Sequence, residues 1–236
     1  MYDSFSNIND QLMGIVHGVY VGVVTDNKDP EKLGRVKVKI PVMDDINALD
    51  WARVTTMMAG GKRGMFFIPE VNDEVLIAFQ MGDISRPIVI GSLWNSKDKP
   101  PHDMDEKNNI RKMTSRAGHQ FEFDDTDQGG QVRIKTNKGH HLTLNDKADT
   151  IELHDKGGQI TMTIKGGSQV EIKAGTNKIT LTQQGDVKIE STKAVSIKST
   201  QVTLEATAAL KLKGGASLDL QSDGLVNIKG SMVKIN

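Results

Sequence analysis

From about residue 119 the chain repeats one small unit: an apolar residue, a polar residue, an apolar residue, then a polar turn. The apolar pairs are Phe121/Phe123, Val132/Ile134, Leu142/Leu144, Ile151/Leu153, Met162/Ile164, Val170/Ile172, Ile179/Leu181, Val187/Ile189, Val195/Ile197, Val202/Leu204, Leu210/Leu212, Leu218/Leu220, Val226/Ile228 and Val233/Ile235. There are fourteen, spaced at first by nine to eleven residues and later by seven or eight. A fixed period of this kind decides the architecture before local propensity does.

Side chains alternate along a strand, so both apolar residues of a unit lie on one face and the residue between them points away. A strand with two inward residues buries little alone and must stack on neighbours. No aromatic residue follows Phe123, so the buried column is narrow. Two architectures fit: one chain coiling alone as a β-helix, or three chains winding about one axis. Units this short and thinly apolar favour the intertwined trimer. Its dry column would be built from Val187, Ile189, Val195, Ile197, Val202, Leu204, Leu210, Leu212, Leu218, Leu220, Val226 and Ile228. With strands about 4.8 Å apart, fourteen units give a needle on the order of 65 Å long.

The first hundred residues differ in kind. They hold both tryptophans, both tyrosines and four of the six phenylalanines. Short apolar or alternating runs at Val19–Val24, Gly34–Ile40, Trp51–Thr55, Glu74–Phe79 and Ile88–Leu93 predict five strands, a small barrel of the OB class. The proline-led, charged stretch after Pro100 and Pro101 marks a boundary. The expected organisation is an N-terminal segment (1–13), an OB-fold collar (14–98), a linker (99–117) and a β-helical spike (118–236), all-β throughout.

Several motifs then fall in a recognisable order: GRVKVKIP at 34–41, WARV at 51–54, GMFFIPEVNDEVLIAF at 64–79, GD at 82–83 and RPIVIGSLWN at 86–95. They resemble the central spike family of contractile injection systems, which includes phage baseplate assembly protein V and the spike portion of VgrG proteins. Gly34, Trp51, Phe67, Pro69, Asp73, Phe79, Gly82, Asp83, Pro87, Gly91 and Trp94 carry the collar motif. The stretches at 118–125, 134–144 and 151–158 resemble the same family's needle.

The resemblance implies a homotrimer that punctures a target envelope when a sheath contracts. Some relatives insert a lysozyme domain between collar and needle, and here only about twenty residues separate them. VgrG proteins carry a large hub domain ahead of the OB fold. Only about thirteen residues precede it here, so a separate hub protein is expected, with residues 1–13 available to dock on it. Some phage spikes end in an iron-binding histidine apex. The last seven residues, GSMVKIN, lack histidine. A separate PAAR-type tip protein is therefore expected on Met232, Val233, Lys234, Ile235 and Asn236.

No catalytic or cofactor motif emerges. The glycines around Lys62 and Arg63 lack phosphate-loop spacing, and Asp44/Asp45 and Asp124/Asp125 sit in turns. His140 and His141 are the metal candidates, but adjacent strand residues face opposite ways, which favours surface roles. With no cysteine, thiolate sites and disulfides are excluded. Residues 1–110 carry 12 Lys/Arg and 16 Asp/Glu (net −4), residues 111–236 carry 18 and 14 (net +4), and no basic aromatic groove for nucleic acid is evident. A trimeric tail-fibre adhesin would need an enlarged distal head. A β-helical polysaccharide-degrading enzyme would need aromatic residues beyond Phe123. The first fourteen residues lack a secretory signal pattern, so cytoplasmic assembly into a virion or contractile-particle baseplate is expected.

Overall fold

The computed structural model describes residues 15–43, 49–104 and 106–235. The first body holds seven strands: β1 (Val19–Asp26), β2 (Lys37–Lys39), β3 (Arg53–Val54), β4 (Ala59–Gly60), β5 (Arg63–Gly64), β6 (Glu74–Phe79) and β7 (Pro87–Leu93). Five of them form one sheet in the order β2-β1-β6-β7-β3, antiparallel except where β3 runs parallel to β7. A bridge between Val36 and Ala52 joins the two edges, with reciprocal backbone hydrogen bonds of 3.0 and 2.8 Å. The result is an OB-like half-barrel, in keeping with the coarser part of the OB-fold expectation.

Alternation fills its core. Val36, Val38 and Ile40 point inward from one run, and Val75, Ile77 and Phe79 from another; Val24, Leu49, Ala52 and Val89 complete the cluster. Tyr20 packs edge-on to Phe79 with ring centres 5.8 Å apart. Gly22 sits where β1 crosses the core: a Cβ there would lie 3.0 Å from the Lys39 carbonyl oxygen and run into the Ile77 side chain. The loop between β1 and β2 is tied by Asp29. Its carboxylate accepts the backbone N–H groups of Glu31, Leu33 and Arg35 and two guanidinium N–H groups of Arg35, at 2.8–3.3 Å.

The second body begins inside the stretch expected to be linker. Nine strands follow: β8 (Ile110–Thr114), β9 (Gln120–Asp124), β10 (Gln131–Lys135), β11 (His141–Asn145), β12 (Thr150–His154), β13 (Ile160–Lys165), β14 (Gln169–Ala174), β15 (Asn177–Thr182) and β16 (Val187–Glu190). They form one sheet in which each strand pairs antiparallel with the next in sequence. This corrects the expectation that the whole of 118–236 interleaves with other chains from its start: through residue 190 each unit pairs with its own neighbours. The reason lies in the turns. Gly139, Gly158, Gly167, Gly175 and Gly185, together with Gln128 and Asp149, all have positive φ, the backbone state that reverses a chain into a hairpin.

Among the described residues no strand forms beyond Glu190, and bends recur there at regular spacing. Among the described residues none after Gly185 has a positive φ. Turns built from Ser-Thr-Lys, Ser-Thr-Gln or Ala-Thr-Ala bend the chain without folding it back on itself.

Candidate functional site

The register of the nine-stranded sheet places the apolar pairs in two continuous columns on one face. One runs Phe123, Val132, Leu144, Ile151, Ile164, Val170, Leu181, Val187; the other runs Phe121, Ile134, Leu142, Leu153, Met162, Ile172, Ile179, Ile189. The sequence therefore assigned the face correctly, pair by pair. None of the described residues covers it: Leu153 is 53% and Ile189 59% exposed.

The opposite face is polar and better covered. Thr143 lies between Arg133 and Glu152, and Thr180 between Glu171 and Lys188; both threonines are only 6% exposed. Long charged side chains on neighbouring strands shelter the short hydroxyl residues between them. Ion pairs link this face: Lys112 to Glu122 at 3.1 Å, and Lys178 to Glu171 and Glu190 at 3.7 and 3.4 Å. A sheet with an ion-paired polar face and a bare apolar one is half of an interface.

Residues 191–235 extend the same problem to the backbone. Val195, Ile197, Val202, Leu204, Leu210, Leu212, Leu218, Leu220, Val226 and Ile228 keep their spacing and are all exposed, as are Met232, Val233, Lys234 and Ile235. Asn236 lies outside the described residues. Within 191–235 no backbone N–H donates to a backbone carbonyl of the described residues. Extended backbone with apolar side chains and unmet hydrogen-bonding groups is an open edge on both sides.

The collar motif residues are mostly framework. Asp73 accepts the Glu70 N–H at 2.8 Å, in a turn whose Asn72 has φ 78° and donates to the Val24 carbonyl. Asp83 accepts the N–H and hydroxyl of Ser85, which holds its carboxyl below the ordinary carboxylate range. Gly82 has φ 75°, and a Cβ there would crowd Ile15 and Val16. Gly91 follows the irregularity where Leu76 and Ile77 pair across to β7, beside Pro87 and Phe79 at the other end of that pairing. The Pro69 carbonyl accepts from Asn27, Gly34 takes φ 75°, and the Lys37 ammonium stands 5.3 Å from the Trp51 ring centre. Arg35 beside Asp29 is the largest cause holding that carboxyl far below its usual value.

Phe67 and Trp94 are the exceptions, large apolar side chains left exposed. Phe66 and Phe67 flank the small β4–β5 hairpin together with exposed Met57, Met58 and Met65. The sequence singled out the glycines of this loop but not its apolar surround. Of the histidines, His140 accepts the Lys156 N–H at 3.2 Å through Nδ1, whereas His141 lies on the sheet across from His154. Asp44 and Asp45, like residues 1–13, lie outside the described residues. Among the described residues no cluster of three or more metal-type side chains is assembled, and no helix is long and apolar enough to cross a membrane.

Residues 20–94 match the family model of the type VI secretion system and phage-baseplate injector OB domain. Residues 20–94 thus carry the OB domain of that family, and the chain as a whole is similar to VgrG-type spike proteins. It is 25% identical to the type VI secretion system spike protein VgrG1a of Pseudomonas aeruginosa over 253 aligned positions, covering 97% of this chain and 37% of that protein. It is 29% identical to VgrG5, a spike protein of the same organism, over 70% of this chain and 22% of that protein. It is 28% identical to the actin cross-linking toxin VgrG1 of Vibrio cholerae over 52% of this chain and 12% of that protein. The chain thus spans less than two fifths of the length of these VgrG relatives.

Proposed function

We propose that this chain forms, as a homotrimer, a non-enzymatic central spike of a contractile injection baseplate. The observation that carries this reading is the exposed apolar face of β8–β16 continuing, after Glu190, into a backbone that makes no backbone–backbone hydrogen bond among the described residues. Three sheets with their apolar faces inward make a closed prism with a dry axis. Three extended segments wound together supply each other's missing backbone hydrogen bonds. Such a body should unfold slowly, because withdrawing one chain unthreads the others.

The collar would seat the needle on a hub protein, and the distal Met232–Ile235 stretch would carry a PAAR-type tip protein. The target envelope is the transient partner. The toxin name of one relative applies to that protein, of which this chain matches a small part. The test is native mass spectrometry of the purified chain before and after mild heating in detergent. A surviving species of three times 25.8 kDa is the expected result. A monomer would overturn the proposal.

A further inference from the structure

We propose that His141 and His154 form a two-imidazole site for a late first-row divalent metal ion on the polar face of the nine-stranded sheet. The two residues are direct cross-strand partners on β11 and β12. Their rings lie parallel, 11° apart, with centroids 4.6 Å from one another. Opposed strand positions hold the two Cβ atoms about 4.5–5.5 Å apart, so both side chains rise from a rigid base.

The ring nitrogens are set for it. His141 Nδ1 lies 3.0 Å from the Gly139 carbonyl oxygen. A carbonyl oxygen can only accept, so Nδ1 carries the proton and Nε2 keeps its lone pair, the arrangement in which a backbone carbonyl orients a metal-ligating imidazole. His154 Nε2 is buried and has no hydrogen-bond partner, although the Glu152 carboxylate stands 3.3 Å away. An unsatisfied buried ring nitrogen beside a second imidazole is costly and calls for a ligand. A modest tilt of the rings toward each other brings two nitrogens to the roughly 2.0–2.1 Å bond lengths of a divalent ion. Glu152 then faces the added positive charge, and water completes the coordination.

The surroundings tune the site. Lys135 on β10 lies next to His141 in the same column, and Thr161 on β13 next to His154. Thr143 and Glu152 flank the pair along their own strands. One cation against one carboxylate leaves the imidazoles as the deciding ligands. The Gly139–His141 corner is further fixed by the Lys156 N–H donated to His140. The site lies wholly within one chain, so it does not depend on the trimer. Bound metal would staple β11 to β12.

The test uses the untagged full chain, stripped with a chelator and titrated calorimetrically with Zn²⁺ and Cu²⁺ at a pH of about 7.5. One ion per chain is expected, copper binding more tightly than zinc. His141→Gln and His154→Gln should each weaken binding by more than about tenfold, and His140→Gln should not. If either glutamine variant misfolds, the unmodified chain still decides: zinc should shift the imidazole NMR resonances of His141 and His154 and leave those of His140 in place. Unchanged affinity in His141→Gln or His154→Gln, an equal loss in His140→Gln, or unmoved His141 and His154 resonances would overturn the site.

Discussion

Residues 110–190 and residues 191–235 carry the same pattern of apolar pairs, and the spacing barely changes where one passes into the other. The first stretch nevertheless folds on itself into nine paired strands, while the second forms no strand pairing among the described residues. What differs is the corner between units. Left-handed residues recur in the turns up to Gly185 and then stop, although Gly214, Gly215, Gly224 and Gly230 remain available. Apolar periodicity thus fixes which face is apolar. Turn conformation fixes whether the next unit folds back to pair within its own chain.

The largest effect expected from probing this contrast is on the distal segment. Leu204→Asp combined with Leu212→Asp places two charges in the proposed dry column, each costing several kcal/mol when unpaired. The double variant should lose the detergent-resistant trimer on a native gel, whereas Lys211→Asp, at the residue pointing away, should retain it. A trimer that tolerates both leucine changes would break the comparison, because the distal pairs would then not be buried.

A smaller and sharper test matches two glycines with open space around them. Gly185 has φ 99° and Gly215 does not enter the left-handed region. Gly185→Ala should destabilise by about 1–2 kcal/mol, since a Cβ strains a left-handed backbone. Gly215→Ala should be neutral or stabilising by up to about 1 kcal/mol, through the unfolded chain. Chemical denaturation of the two variants measures both. Equal effects would mean that corner conformation is not what separates the two regions.

The smallest effect should be confined to the collar. Asp29 gains hydrogen bonds on folding, and its folded carboxyl is held well below its unfolded value. Its contribution is therefore complete above the ordinary aspartate pKa near about 4 and is lost as pH falls toward the folded value. Asp29→Asn should lower the thermal midpoint at neutral pH and flatten the decline on acidification. Both needle regions should keep their hydrogen-exchange protection.

The sequence revealed β6 to the residue, at Glu74–Phe79, because Val75, Ile77 and Phe79 alternate cleanly against one core. It also put the eight apolar pairs from Phe121/Phe123 to Val187/Ile189 on one common face, since the period of two survives any choice of neighbour. It did not reveal which strands neighbour which. That depended on the φ of Gln128, Asp149 and the turn glycines, and glycine tolerates either sign. Ile110–Thr114 was missed as a strand because Arg111, Lys112 and the charged approach masked a single apolar pair, Ile110 and Met113, out of step with strand alternation. The histidine site was sought at His140 and His141, adjacent in sequence. The useful partner, His154, comes from the opposing strand and becomes visible only once the β11–β12 register is fixed.

The halt of left-handed corners at Gly185 also sets an order in time. A sheet of hairpins can be laid down by each chain as it leaves the ribosome, because every strand finds its partner within a few residues. The segment beyond Glu190 has no such local partner. In the proposed trimer it can close only after three finished chains have met, and then in one direction, from the collar outward. Maturation would end at the tip, so any protein that caps the tip could distinguish a completed spike from one still assembling.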